Sequence, residues 1–180
     1  MSVKEVNGDL ALLHHELGIP PDYAASCGLP LQPEALERDL VVAGVAEDGR
    51  EIRLTRPTVA AWRNMRDAAA ADGVVLTLIS GFRSVARQTE IIRRKLAYGL
   101  SIGEILHSNA APGHSEHHTG RAIDVGTPGD PPLEATFAIT PAYEWLGRRA
   151  HEFGFRLSFP PGNSNGIAFE PWHWFQHNHH

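Results

Sequence analysis

The sequence predicts an α+β fold, with a central mainly antiparallel sheet and flanking helices. Three observations carry that expectation. Apolar residues recur at helical spacing in some stretches and as short β-rich runs in others. An Asp48-Gly49 pair lies between two of the β-rich runs, a strong hairpin signal. Helices and strands do not alternate in the regular way that builds a parallel sheet. At 180 residues, 42% of them hydrophobic, the chain is long enough to bury a core as one domain.

The elements follow in order. Leu10 to Leu17 reads as a short helix, stopped by Gly18 and the Pro20-Pro21 pair. Leu40 to Val45 and Ile52 to Leu54 form the two arms of the hairpin around Glu47-Asp48-Gly49-Arg50. Pro57 opens a helix where its missing N–H costs nothing, and Val59, Trp62, Met65 and Ala69 recur on one side until Gly73. Val74 to Ile79 is a β-rich run, expected in the middle of a sheet, that delivers the chain to Ser80-Gly81-Phe82-Arg83-Ser84. Ser84 caps a helix with Val85, Gln88, Ile91, Ile92 and Lys95-Leu96 along one side. Ser101 and Glu104 have capping-box spacing for a further turn or two. His107 to Pro112 reads as a loop, Ile123 to Val125 as a strand and 127–138 as a surface loop. Thr140-Pro141 starts a helix with Tyr143, Leu146, Ala150 and Phe153 on its buried side and Gly154 as its stop. Phe155 to Phe159 is a strand, and Pro160 to Gly166 a turn that leads to Glu170-Pro171-Trp172-His173-Trp174.

Several function classes are disfavoured by composition. A net charge of −5 with scattered Lys and Arg lacks the basic face of a nucleic-acid protein. The one cysteine, Cys27, cannot build an internal disulfide framework. No apolar run reaches the length of a membrane span, and the first residues lack the basic start and apolar run of a secretory signal. A protein that starts at Met1 is therefore expected in the cytoplasm; one cut from a longer precursor is expected in the periplasm or cell envelope. Eleven histidines is a high count, but His177, His179 and His180 crowd the C-terminus and are given no function.

The chemistry concentrates in His114-Ser115-Glu116-His117-His118-Thr119-Gly120-Arg121-Ala122-Ile123-Asp124, a stretch that core-building does not require. Imidazole and carboxylate suit a borderline-soft divalent ion such as zinc. One His near one Asp is more often a pair of solvated polar groups; the whole pattern outweighs that reading. His117 and Asp124 are seven residues apart, which puts them on opposite faces of a straight strand. For both to reach one ion the chain must bend between them, and Gly120 permits the bend. His173 is a candidate third ligand, presented with Glu170 from a loop that enters a strand, because Pro171 disfavours helix at Glu170. A catalytic zinc keeps three protein ligands and leaves a fourth position for water. Glu170 then sits outside the ligand set, where it can take a proton from the zinc-bound water and hand it to a leaving amine. Arg83 is either a solvated helix-start residue or, beside a metal, a clamp for a carboxylate or developing oxyanion. Trp172 and Trp174 either belong to the core or hold these side chains and exclude water.

Ser80-Gly81-Phe82-Arg83-Ser84 with Gln88, Pro112-Gly113 followed by the eleven-residue stretch, Tyr143-Glu144-Trp145-Leu146, and Glu170-Pro171-Trp172-His173-Trp174 resemble the successive motifs of the VanY-type D-alanyl-D-alanine carboxypeptidases, in order and in spacing. The resemblance covers about residues 55–176. It implies the fold shared by the zinc D,D-peptidases and the hedgehog domain, with one Zn2+ per chain. It makes 56–176 the catalytic core and 1–55 an N-terminal extension or subdomain. By position it implies His117, Asp124 and His173 as zinc ligands and Glu170 as catalytic base. Arg83 would polarise the scissile carbonyl or bind the substrate's carboxylate, and Ser115 and Gln88 would line the substrate pocket. The implied partner is the D-Ala-D-Ala end of a peptidoglycan peptide, cleaved by a monomer. The rivals are an L,D-carboxypeptidase, a dipeptidase or an endopeptidase on the same material, and a non-catalytic zinc-binding hedgehog-like module. Glu170 argues against the last, because a structural zinc needs no base and usually has four protein ligands.

Overall fold

The computed structural model describes residues 3–177, so His179 and His180 lie outside the described residues. The chain begins with α1 (Val3–Leu17) and α2 (Tyr23–Cys27), then the strands β1 (Leu40–Val45) and β2 (Glu51–Thr55). These two form the expected antiparallel hairpin, with an irregularity between Val42 and Gly44. Helix α3 (Arg56–Ala71) follows with Pro57 in its first turn. Next come β3 (Thr77–Ser80), α4 (Val85–Ala97) and α5 (Ile102–Ser108). Ser84 caps α4 by accepting the Arg87 N–H, and Ser101 and Glu104 form the full capping box on α5. The last elements are β4 (Ala122–Gly126), α6 (Pro141–Arg149), β5 (Phe155–Leu157) and β6 (His173–Gln176). The larger sheet has the order β3-β4-β6-β5, antiparallel at every pairing. Among the described residues no helix is long and apolar enough to cross a membrane.

Three expectations about elements are corrected. The run from Val74 was expected to be a central strand; pairing starts only at Thr77, and β3 lies at the edge of the sheet. The Val74 N–H still bonds back to the Ala69 carbonyl, so Val74 finishes the end of α3 and its N–H is not free to join a ladder. The interior positions belong to β4 and β6, and β4 is buried at every residue. The segment 127–138 was expected to be a surface loop, but Ala135–Ile139 is a 3-10 turn that buries Phe137 in the main core. The continuous helix expected up to Phe153 tightens to 3-10 geometry from Ala150, and Gly154 stops it at φ +82°.

Two apolar clusters hold these elements. The main one packs Trp62 and Met65 of α3 and Trp145 and Leu146 of α6 against Ile123, Val125, Phe155 and Trp174 of the sheet. The second joins the N-terminal segment to α4 and α5: Leu17, Ile19, Tyr23 and Leu29 pack with Ile92, Ile105 and Phe159. Residues 1–55 carried no readable motif, yet their described part is tied to the loop that carries the histidines. The Gln32 and Ala35 amides donate to the Gly113 and His118 carbonyls, each at 2.8 Å. His114 Nδ1 donates to the Leu29 carbonyl at 2.9 Å.

Candidate active site

Strand β4 is the spine of the site. Asp124 lies directly across from His173 on β6, and from Ser80 on β3. Facing residues of an antiparallel pair keep their Cβ atoms within about 5 Å of each other, so register alone sets Asp124 beside His173. His117 arrives by a different route. Glu116–Thr119 is a 3-10 turn, and Gly120 ends it at φ +65° before β4 begins. That left-handed conformation suits glycine, and a Cβ there would lie 2.8 Å from Leu40 Cδ2. The bend required between His117 and Asp124 is thus where the sequence located it.

The three side chains converge. One ligand atom from each of His117, Asp124 and His173 lies within 4.8 Å of the others, and all three residues are buried. His117 Nε2 is 3.3 Å from Asp124 Oδ2, and His173 Nδ1 is 3.2 Å from Asp124 Oδ1. Burial works against charge on Asp124, but His117 and His173 outweigh it and hold the carboxyl well below the usual range. Burial likewise depresses His117, whereas for His173 the hydrogen bonds to Asp124 and Glu116 overcome burial and raise it to about 10.

A metal fits this donor set. His117 Nδ1 is 2.7 Å from the Gly81 carbonyl, which can only accept, so Nδ1 carries the proton. The Nε2 of a neutral His117 then aims a lone pair at a buried carboxylate oxygen, 3.3 Å away. Two acceptors so placed call for a cation between them. Two imidazoles and a carboxylate match the three-ligand catalytic zinc pattern, and one side of the cluster faces a cavity.

Glu116 was not singled out from the sequence. Its Oε2 accepts from His173 Nε2 at 2.8 Å and from Ser158 Oγ at 2.6 Å. This fixes the tautomer and orientation of His173 and leaves Nδ1 for a metal. An acid adjacent to a candidate ligand histidine was the available signal, but nothing local showed that its partner stood 57 residues away. Glu116→Gln is expected to weaken zinc affinity by about 10–100-fold, the usual cost of losing such a partner. Competition with a chromophoric chelator measures this, and an unchanged affinity removes the role.

Other predicted residues gather at the same cavity, of about 290 Å³. Arg83 follows β3, with its backbone N–H on the His117 carbonyl at 3.1 Å. Its Nη1 donates to Gln88 Oε1 at 2.9 Å, and its Nη2 is 4.0 Å from Asp124 Oδ2. Gln88 is fully buried and its Nε2 donates to the Ala110 carbonyl, so both ends of its amide are engaged. Ser115 is buried and lines the cavity, as do Glu170 and Trp172. Burial pushes the Glu170 carboxyl up to about 7, with Asp124 adding to the rise while His173 and Arg83 oppose it. Trp174 belongs to the core, its Nε1 donating to the Pro171 carbonyl. His118 and His114 stay outside the ligand cluster. His118 Nδ1 donates to the Arg83 carbonyl at 2.6 Å and its Nε2 accepts the Gly113 N–H at 3.0 Å, which pins two site loops together.

Comparison with known proteins identifies the family. The family model "VanY: D-alanyl-D-alanine carboxypeptidase" matches residues 51–178, and the chain belongs to that family. A D-alanyl-D-alanine carboxypeptidase of Enterococcus faecalis is 34% identical over 122 residues, which is 62% of this chain and 44% of that protein. Among solved structures, the LdcB LD-carboxypeptidase is similar with a TM-score of 0.70 and 28% identity, over 79% of this chain and 69% of that one. The D,D-pentapeptidase VanY from a VanB-type resistance cassette, solved in complex with Zn(II), gives 0.60 and 27% over 81% and 83%. The chain spans about half the length of the curated relatives it matches.

Proposed function

We propose that this chain is a zinc carboxypeptidase that removes the C-terminal D-alanine from peptidoglycan stem peptides or their precursors. The observation that carries the reading is one cavity wall: a buried three-ligand cluster with Glu170 and Arg83 beside it. His117, Asp124 and His173 would hold the zinc. Bound there, zinc supplies Lewis-acid polarisation and lowers the pKa of a coordinated water.

The remaining chemistry falls to the chain's own side chains. Glu170 takes a proton from the attacking water as its oxygen bonds to the scissile carbonyl carbon. When the C–N bond breaks, Glu170 returns that proton to the leaving amine. Arg83 presents its guanidinium to the carbonyl oxygen or to the substrate's carboxylate. Gln88 serves the pocket by holding Arg83 in place, and Ser115 lines it next to His117. Residues 56–176 act as the catalytic core, with 1–55 as an extension that braces the histidine loop, and the unit works as a monomer. Its substrate class places it in the cell envelope or, for precursors, in the cytoplasm.

The test is product analysis on tetrapeptide and pentapeptide stems, with and without chelator. The pentapeptide is expected to lose one D-alanine, chelator to stop the reaction and added zinc to restore it. If the metal-loaded protein shortens neither peptide, the carboxypeptidase reading is lost. The likeness to the LdcB LD-carboxypeptidase supports a second reading, cleavage after an L-residue. Shortening of the tetrapeptide alone would favour it.

A further inference from the structure

The cavity is lined by one arginine and one lysine, and among the described residues only the arginine has an acidic partner within ion-pair distance. Arg83 leans on Asp124. Lys95 is half-buried on the same wall, and its Nζ is held by neutral oxygens alone, Asn109 Oδ1 and, at 3.4 Å, Ser108 Oγ. An ammonium has three N–H donors, so one remains for a ligand. Burial pushes the Lys95 amine down, the like charge of Arg83 adds to this, and Glu170 opposes it. The ammonium thus stands within the field of Arg83 and Glu170.

Its placement is built by three elements. Lys95 and Gln88 are seven residues apart on α4, which puts them on one face, two turns from each other. Helical side chains lean toward the N-terminus, so Lys95 inclines back toward Gln88 and Arg83. The end of α5 supplies Ser108 and Asn109, with Asn109 already extended at φ −148°. Next to it, the Ala110 carbonyl holds Gln88. One wall of the cavity therefore runs from Arg83 through Gln88 and Ala110 to Lys95, with a positive charge at each end.

We propose that Lys95, braced by Asn109 and Ser108, binds a carboxylate of the peptide substrate at a position separate from Arg83. The proposal rests on the peptidase reading above. An unpaired, half-buried ammonium is a costly feature, and a carboxylate offsets that cost on arrival. As a compact charge on a flexible stem, it suits an anion that is not presented in a fixed plane. Two carboxylates of such peptides have this chemistry: the terminal one and an acidic residue upstream of the scissile bond.

The experiment compares the zinc-loaded full chain with its Lys95→Met and Lys95→Arg variants on three synthetic peptides. One ends in free D-Ala-D-Ala and carries an upstream acid, one has that terminus amidated, and one has the upstream acid replaced by its amide. The Met variant is expected to raise KM for the first peptide by about 10–100-fold, the range for one lost charge-assisted hydrogen bond, with kcat little changed. Arginine should restore much of the loss. The effect should vanish for the peptide that lacks the bound carboxylate, which names the source. An unchanged KM, or the same rise for all three peptides, overturns the proposal. Calorimetric binding of the same peptides to a Glu170→Gln chain, with and without Lys95→Met, separates the two readings. Should the wild type cleave nothing, the peptidase reading falls; a Lys95-dependent preference for the acid peptide then upholds the site, and its absence overturns it.

Discussion

Glu170→Gln is expected to lower kcat by about 10²–10⁴-fold, the range that a positioned general base contributes, while the chain still binds one zinc. The two outcomes separate because Glu170 is not in the converging set of His117, Asp124 and His173. Its backbone position is secured independently: its N–H donates to the Phe159 carbonyl at 3.2 Å, and its carbonyl accepts the His173 N–H at 3.1 Å. The substitution leaves those bonds in place. Burial pushes the carboxyl up to about 7, so a charged Glu170 is held at some cost to the fold, which a neutral amide does not carry. Melting of the metal-free variant at pH 8 is therefore expected at or above the temperature of the metal-free wild type, and lost turnover cannot be laid to unfolding. Metal analysis, single-substrate kinetics and a melting curve suffice. Turnover within a fewfold of wild type would remove Glu170 as the base.

Asp124→Ala should do more damage, because Asp124 is both ligand and structural hub. It lies on an interior strand, 3% exposed, with one oxygen toward each histidine and Arg83 Nη2 at 4.0 Å. Removing the carboxylate deletes the only anion of the proposed ligand set, so zinc affinity should fall by more than the roughly 100-fold upper cost of an outer partner. Removing one partner from a buried charged pair typically costs about 3–5 kcal/mol in addition, because the groups left behind stay desolvated. The variant should accordingly be isolated without zinc, without activity and with a lowered melting temperature. Asp124→Asn keeps the shape and tests the charge alone: it should recover part of the stability but not the metal. A stoichiometric zinc content in Asp124→Asn would mean that the ligand set is wrong.

Part of the fold is legible in the sequence alone. The hairpin, the Ser84 cap and the Ser101–Glu104 capping box depend on residues within a few positions of one another, and local chemistry decides them. The same is true of the turn at Gly120. Other features depend on partners far along the chain. Val74 to Ile79 has the composition of a buried strand, and only the sheet order shows that β3 is an edge while β4 is interior. Phe137 lies in a segment rich in Pro and Gly, and its burial comes from α6 folding over it. The segment around Gln32 and Ala35 carries no readable motif because it meets Gly113 and His118 through backbone groups, and backbone groups are the same in every sequence.

The sequence by itself determined the donor types, the bend at Gly120 and the presence of an acid three residues before His173, because these are matters of side-chain chemistry and short spacing. The tertiary structure decided how they meet. The β4–β6 register brings Asp124 to His173 across 49 residues, and the same fold carries Glu116 behind His173 and Lys95 to the cavity wall. Each of these contacts joins groups distant in the chain, and long-range pairing is fixed by packing and hydrogen-bond register, which no local window contains.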